Sequence, residues 1–209
     1  PERYDIEIHQ LRYSSPIGEK YSVSLDSSYE SMSGASPWYT VKSANGDTKV
    51  AMSGASIYDK RRDVTASVKR YYDRGNVGAS FTISDENDYR SNSASVEGSF
   101  TLANDSTTLS AGIAHSDDDM NPTDAALFNR ILSANKSTTS AFVSVTQILN
   151  QFSIIQTGVS STRAGGYLTD PYKLSDHRPA ERNQVTWTTS WRHYFREQRS
   201  AFHANYRFY

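Results

Sequence analysis

Apolar and polar residues take turns along most of this chain. In the clearest run Tyr21, Val23, Leu25 and Tyr29 share one face, and Lys20, Ser22, Ser24, Asp26, Ser28 and Glu30 share the other. Val64, Ala66 and Val68 alternate with Thr65, Ser67 and Lys69, and Val77, Ala79, Phe81 and Ile83 with Gly78, Ser80 and Thr82. Ala94, Val96, Gly98 and Phe100 oppose Ser95, Glu97 and Ser99, while Leu109, Ala111 and Ile113 oppose Thr108, Ser110 and Gly112. Later, Val185, Trp187, Trp191 and Phe195 face away from Gln184, Thr186, Thr188, Ser190 and Arg192. Phe202, Ala204, Tyr206 and Phe208 then oppose His203, Asn205 and Arg207. Three less regular runs, at 4–14, 138–149 and 152–162, bring the predicted strands to about ten. A period of two is that of a strand whose two faces meet different surroundings.

Runs of roughly ten residues exceed the ~5–6 usual in soluble sheets and suit tilted strands that cross a bilayer. The connections alternate as well. Tight turns at 15–18, 73–76, 103–106, 150–151 and 196–199 are separated by longer links at 31–62, 85–90, 116–137 and 163–182. Short turns on one side and long loops on the other mark an outer-membrane barrel, the loops being extracellular. A soluble sandwich also alternates, but has no reason to sort its connections by side. The expectation is an all-β chain: residues 1–209 as one antiparallel transmembrane β-barrel domain of about ten strands, incomplete at both ends. Lys20, Asp26, Glu30, Lys69, Glu97, Arg192, His203 and Arg207 are then expected to face the lumen. Tyr21, Phe81, Phe100, Trp187, Trp191, Phe202, Tyr206 and Phe208 are expected to face lipid.

Composition agrees. Mean hydropathy is −0.66, and no apolar run approaches the ~20 residues of a spanning helix. Yet the chain holds 14 Tyr, 8 Phe and 3 Trp, which argues against disorder. With 22 Lys and Arg against 23 Asp and Glu, there is no basic surplus to neutralise phosphates, so nucleic acid is not an expected partner. The absence of cysteine excludes disulfides, thiolate zinc and thioether-linked haem on this chain, and no cofactor is expected. Opening at Pro1-Glu2-Arg3 reads as a processed or partial chain.

Met32-Ser-Gly-Ala-Ser36 precedes Pro37-Trp38 and recurs as Met52-Ser-Gly-Ala-Ser56, both inside the first long link. Gly34 and Gly54 permit close backbone approach, so the copies read as two arms of one excursion. Further on come Tyr58-Asp-Lys-Arg61, Glu86-Asn-Asp-Tyr-Arg-Ser91, Asn104-Asp-Ser-Thr-Thr-Leu109, Gly166-Tyr-Leu-Thr-Asp-Pro-Tyr-Lys173, Arg178-Pro179 and His203-Ala-Asn-Tyr-Arg-Phe-Tyr209. In this order the blocks resemble a family of Gram-negative outer-membrane barrels of unknown function, the DUF3570 family. The resemblance covers nearly the whole chain, and the block holding Tyr167, Asp170, Pro171 and Tyr172 is its most specific part. It implies a barrel in the outer membrane, in contact with lipid and lipopolysaccharide, and it carries no established catalytic residues. It also implies a longer protein. Tyr209 is in phase with His203 and Arg207 rather than with the apolar face, so further strands are expected after it.

Candidate chemistry is sparse. Asp85, Glu86 and Asp88, and separately Asp117, Asp118 and Asp119, are oxygen-rich loop clusters of the kind that hold a divalent cation, although neither has EF-hand spacing. The aspartate triplet is the weak metal candidate. His9, His115, His177, His193 and His203 come without a G-x-S-x-G nucleophile turn, so no hydrolase site is expected. Residues 123–133 read as a short helix capped by Thr123, with Leu127 and Ile131 on one side. Ser, Thr and Gly dominate the polar face and leave a lumen for water or for a partner protein. Two functions remain: a pore or sheath, and a scaffold that binds a partner through Met32, Gly34, Pro37, Trp38, Met52, Gly54 and the Tyr167–Tyr172 block.

Overall fold

A computed structural model describes residues 4–35, 38–42, 48–52, 56–172 and 177–209, with the side chains of Tyr4 and of residues 34–58 excepted. In chain order the strands are β1 (Tyr4–Ile17), β2 (Tyr21–Ala35), β3 (Trp38–Lys42), β4 (Thr48–Met52), β5 (Ser56–Tyr72), β6 (Gly75–Glu86), β7 (Tyr89–Thr101), β8 (Thr107–Met120), β9 (Ala134–Asn150), β10 (Ser153–Gly166), β11 (Glu181–Phe195) and β12 (Ser200–Phe208). All but β3 and β4 form one sheet in the order β1-β2-β5-β6-β7-β8-β9-β10-β11-β12. Every pairing is antiparallel and between neighbours. Among the described residues β1 pairs only with β2, and β12 only with β11. Pro16, which cannot donate to a ladder, sits on that outer strand β1, where its missing N–H costs least.

The chain has almost no core. Among the described residues Ala125 and Ala134 are the buried apolar ones, and none with a large side chain is fully buried. The exposed surface is 15260 Å² for 23.4 kDa. A compact soluble protein of this mass would expose about 9,700 Å². A second sheet over the apolar side would bury Trp187, Trp191 and Phe208; all three stand exposed.

Several elements differ from the sequence expectation. The strands overrun the links. The link placed at 85–90 contracts to Asn87-Asp88, and the others run over 121–133 and 167–180. Within 31–62, β2 reaches Ala35 and β5 starts at Ser56, opposite it. Beyond them Trp38 pairs with Met52 in the β3–β4 ladder. Met32 and Gly34 are thus strand residues and Met52 closes β4, whereas Pro37 and Gly54 lie outside the described residues. Lys20 belongs to the turn before β2, which Gly18 permits with φ 60°. The expected helix at 123–133 is a run of turns: Asp124 and Asn129 have φ 51° and 53°, which breaks the helical path at its first and last turns.

Candidate functional site

Ladder register sorts every strand of the large sheet into two faces. One row runs Leu25, Ala66, Phe81, Ala94, the next Val68, Ala79, Val96, Ile113, Ala141. Tyr21, Phe81, Phe100, Trp187, Trp191, Phe202, Tyr206 and Phe208 all fall on this apolar face. On β6 the apolar row from Gly75 to Ile83 ends at Asp85, opposite Arg62 and Arg90. It covers roughly 27 Å of strand, or about 20 Å of height at the usual tilt, close to the ~25 Å band of a membrane barrel. The indoles are prepared for hydrocarbon. Trp187 Nε1 donates to Thr157 Oγ1 at 2.9 Å and Trp191 Nε1 to Ser153 Oγ at 2.8 Å, so neither N–H is stranded. Trp191 packs edge-on to Phe202 at 5.5 Å, and His193 to Phe195 at 4.5 Å, beside the turn at 196–199.

The opposite face is a hydroxyl wall. Ser80 bonds Ser95 at 2.7 Å, Thr65 bonds Thr82 at 2.8 Å, and Asn76 donates to Ser99 at 2.7 Å. Asp26, Glu30, Lys69, Glu97, Arg192, His203 and Arg207 share this side. Asp26 pairs with Arg12 at 2.8 Å. Lys69 reaches Glu97 at 3.6 Å across an intervening strand, and Gly78 lies between them in the same row. A Cβ on Gly78 would come within 3.2 Å of Lys69 Cε, so the missing side chain leaves the bridge its room. A depression of about 310 Å³ over Ser14, Ser24, Ser67 and Ser80 lies beside this pair.

The aspartate triplet does not converge. Asp117 and Asp119 point to the apolar side, Asp117 3.3 Å from His115 and Asp119 accepting from Asn135 at 2.7 Å. Asp118 points to the polar side, where it is buried, accepts from Ser91 at 2.6 Å and pairs with Lys136 at 3.2 Å. Strand alternation separates neighbours that a loop would have let meet. Among the described residues no group of three acids or histidines is placed to hold a metal.

At the long-link end, Tyr172 ties three connections together. Its hydroxyl donates to Asp88, in the β6–β7 turn, and accepts from Thr123 N at 3.0 Å, in the β8–β9 link. Asp170 Oδ1 accepts from Tyr172 N at 2.9 Å, shaping the turn through Pro171, and Tyr167 N donates to Asn135 O at 2.9 Å. Arg130 lies 4.6 Å from the centres of both the Phe128 and Tyr172 rings, and donates to Thr123 O at 2.9 Å. Burial raises the Tyr172 phenol above its ordinary value, and the Asp88 carboxylate raises it further.

A family model described as "Protein of unknown function (DUF3570)" matches residues 2–209. The chain belongs to the DUF3570 family. No curated protein is similar to it in sequence. Among solved structures it is similar to outer-membrane expressed OmpT of Vibrio cholerae, at TM-score 0.59 and 12% identity, over 97% of this chain and 56% of that one. An in-vitro folded OmpT of the same organism gives TM-score 0.47 at 12% identity, over 95% and 64%. This DUF3570 chain therefore has the fold of an outer-membrane β-barrel and spans just over half the length of the first structure.

Alternation alone did not single out Phe142, which lies on the polar side of this DUF3570 sheet with its ring over Gly112. It also passed over Arg70 and Tyr72, the Tyr89–Lys136 contact at 2.9 Å, and the exposed Leu132. The placement of Arg70 after Val68 in an apolar row was the one local signal available.

Proposed function

We propose that this chain belongs to a barrel of the bacterial outer membrane that acts as a pore, or as a sheath around a partner protein, with no catalysis of its own. One observation carries the reading: the polar face is a wall of small hydroxyl side chains bonded to one another across strands, with the pairs Arg12–Asp26 and Lys69–Glu97 on it and, among the described residues, no second layer of the large sheet over it. Such a wall meets water or a hydrophilic guest. The apolar face meets the hydrocarbon, with long links outside and short turns at the periplasm, and the Asp117–Asp119 end lies level with lipopolysaccharide. Purified full-length protein in planar bilayers tests this. Discrete conductance steps are the result for an open pore; a sheath is silent alone and co-purifies with its occupant. A protein that neither conducts nor retains a lumen partner contradicts both forms.

A scaffold reading has its own support. The Tyr172 tie holds the 121–133 link in place while Leu127 and Leu132 stand 78% and 68% exposed. A surface partner that docks on those side chains, and on the ribbon holding Trp38 and Met52, would be lost on Leu127→Asp without any change in conductance.

A further inference from the structure

The apolar face is not uniformly smooth. At the short-turn end a groove of about 940 Å³ is cut into it, near the upper end of the ~300–1,000 Å³ range of small-molecule sites. Its floor is low over Gly98 and Ala111, and its walls are Tyr72, Phe100, Val143 and Val159. With Val77 of β6, the lining comes from six consecutive strands of the sheet, β5 to β10. Five strand spacings, from β5 to β10, make roughly 24 Å, against about 15 Å for the hydrocarbon of one leaflet. An acyl chain lying aslant along the groove fits within that length.

The rim supplies a charge. Arg70 is exposed on the same face, directly across the ladder from Val77 of the groove lining. Its guanidinium lies 4.9 Å from the centre of the Tyr72 ring and 5.5 Å from that of Tyr21. Tyr72 is thus both a groove wall and the platform that holds the cation. Among the described residues Arg70 has two aromatic partners and no carboxylate. Arg74, also on the rim, is already engaged, with Asp105 at 3.1 Å and Leu102 O at 2.8 Å. An unpaired guanidinium beside hydrocarbon calls for an anion, and its planar donors match a phosphate.

We infer that this groove is a binding site for a glycerophospholipid, with an acyl chain over Gly98 and Ala111 and the phosphate at Arg70. The inference rests on the orientation proposed above, which puts the short turns at the periplasmic leaflet, where phospholipid rather than lipopolysaccharide is found. Purified full-length barrel in detergent is titrated with phosphatidylglycerol, with diacylglycerol and with lipid A, and bound lipid is counted by native mass spectrometry. Unheated gel mobility confirms that each variant is folded. The expected result is one retained phosphatidylglycerol, held at least tenfold more tightly than diacylglycerol or lipid A. Ala111→Phe fills the floor and should weaken retention at least tenfold; Ala111→Leu is the milder variant should the first not fold. Arg70→Gln should erase the preference for phosphatidylglycerol over diacylglycerol. Ile113→Phe, on the same face outside the groove lining, should change nothing. No retained lipid, equal retention of all three lipids, or retention indifferent to both Ala111→Phe and Arg70→Gln overturns the inference. Conductance is not read here: a silent barrel that keeps its phospholipid upholds the site, and a conducting one that keeps none refutes the site alone.

Discussion

Face decides what a residue tolerates. Val96 and Ser93 lie on one strand, yet Val96 is 50% exposed on the apolar side and Ser93 sits on the polar side. Val96→Arg should cost roughly 2–4 kcal/mol in urea unfolding from phospholipid vesicles, as for a cation near the bilayer midplane. Ser93→Arg should cost less than about 1 kcal/mol, since it lies on the polar face that the pore reading places in water. Phe142 shows where the pattern is locally broken for a reason. A Cβ on Gly112 would lie 2.5 Å from the Phe142 ring, so the ring occupies the space that the glycine leaves. Phe142→Ala should lose up to about 1 kcal/mol, the scale of one cross-strand pair, by the same measurement. Regular runs such as 77–84 were legible because every side chain there obeys its face. The runs at 4–14 and 138–149 were noisy because Ile8, opposite Glu30, and Phe142 put apolar bulk on the polar side.

Elements followed the sequence in kind and exceeded it in length. Strand lengths of 9–17 residues in the large sheet outrun the strictly alternating cores, because polar residues continue the ladders beyond the apolar band: Arg90, Asp119 and Asn135 are still paired in register. Alternation reports hydrocarbon contact and falls silent where a strand rises into water, so link boundaries were read too wide. The 123–133 segment misled in the other direction, since its apolar spacing suits a helix while its turns depend on Asp124 and Asn129 adopting positive φ. The tie at Tyr172 joins residues 84 positions apart and has no local signature. Tyr172→Phe removes it while leaving the ring against Arg130. Limited proteolysis should then cut within 121–133 faster, with unheated gel mobility of the barrel unchanged; about 1 kcal/mol of local stability is at stake. Because folding raises this phenol's pKa, the protection is complete below its ordinary value near 10 and is lost as pH climbs through the raised one. Protease resistance of the link should therefore hold through neutral pH and fall only in strong alkali.

As a whole, the molecule is a sheet with one apolar and one polar face. The hairpins β1–β2, β5–β6, β7–β8, β9–β10 and β11–β12 were legible from the tight turns, since a short turn leaves the next strand nowhere else to pair. The groove was not, because six strands contribute to it and no stretch of sequence holds more than a few of its walls. With an apolar face that spans the sheet and almost no buried core among the described residues, the proposed membrane setting makes lipid, rather than packing, the source of the hydrophobic contribution to stability. The chain has no cysteine of its own, which opens the most direct test. Single cysteines placed in turn at 76 through 83 of β6, in the full-length protein folded into vesicles with brominated acyl chains, read each side chain's surroundings separately. Fluorophores at 77, 79, 81 and 83 should be quenched by the bromines, and thiols at 76, 78, 80 and 82 should react with a water-soluble maleimide. Uniform reactivity along the strand, or protein that stays dispersed with the odd positions buried and no lipid present, would contradict the membrane barrel.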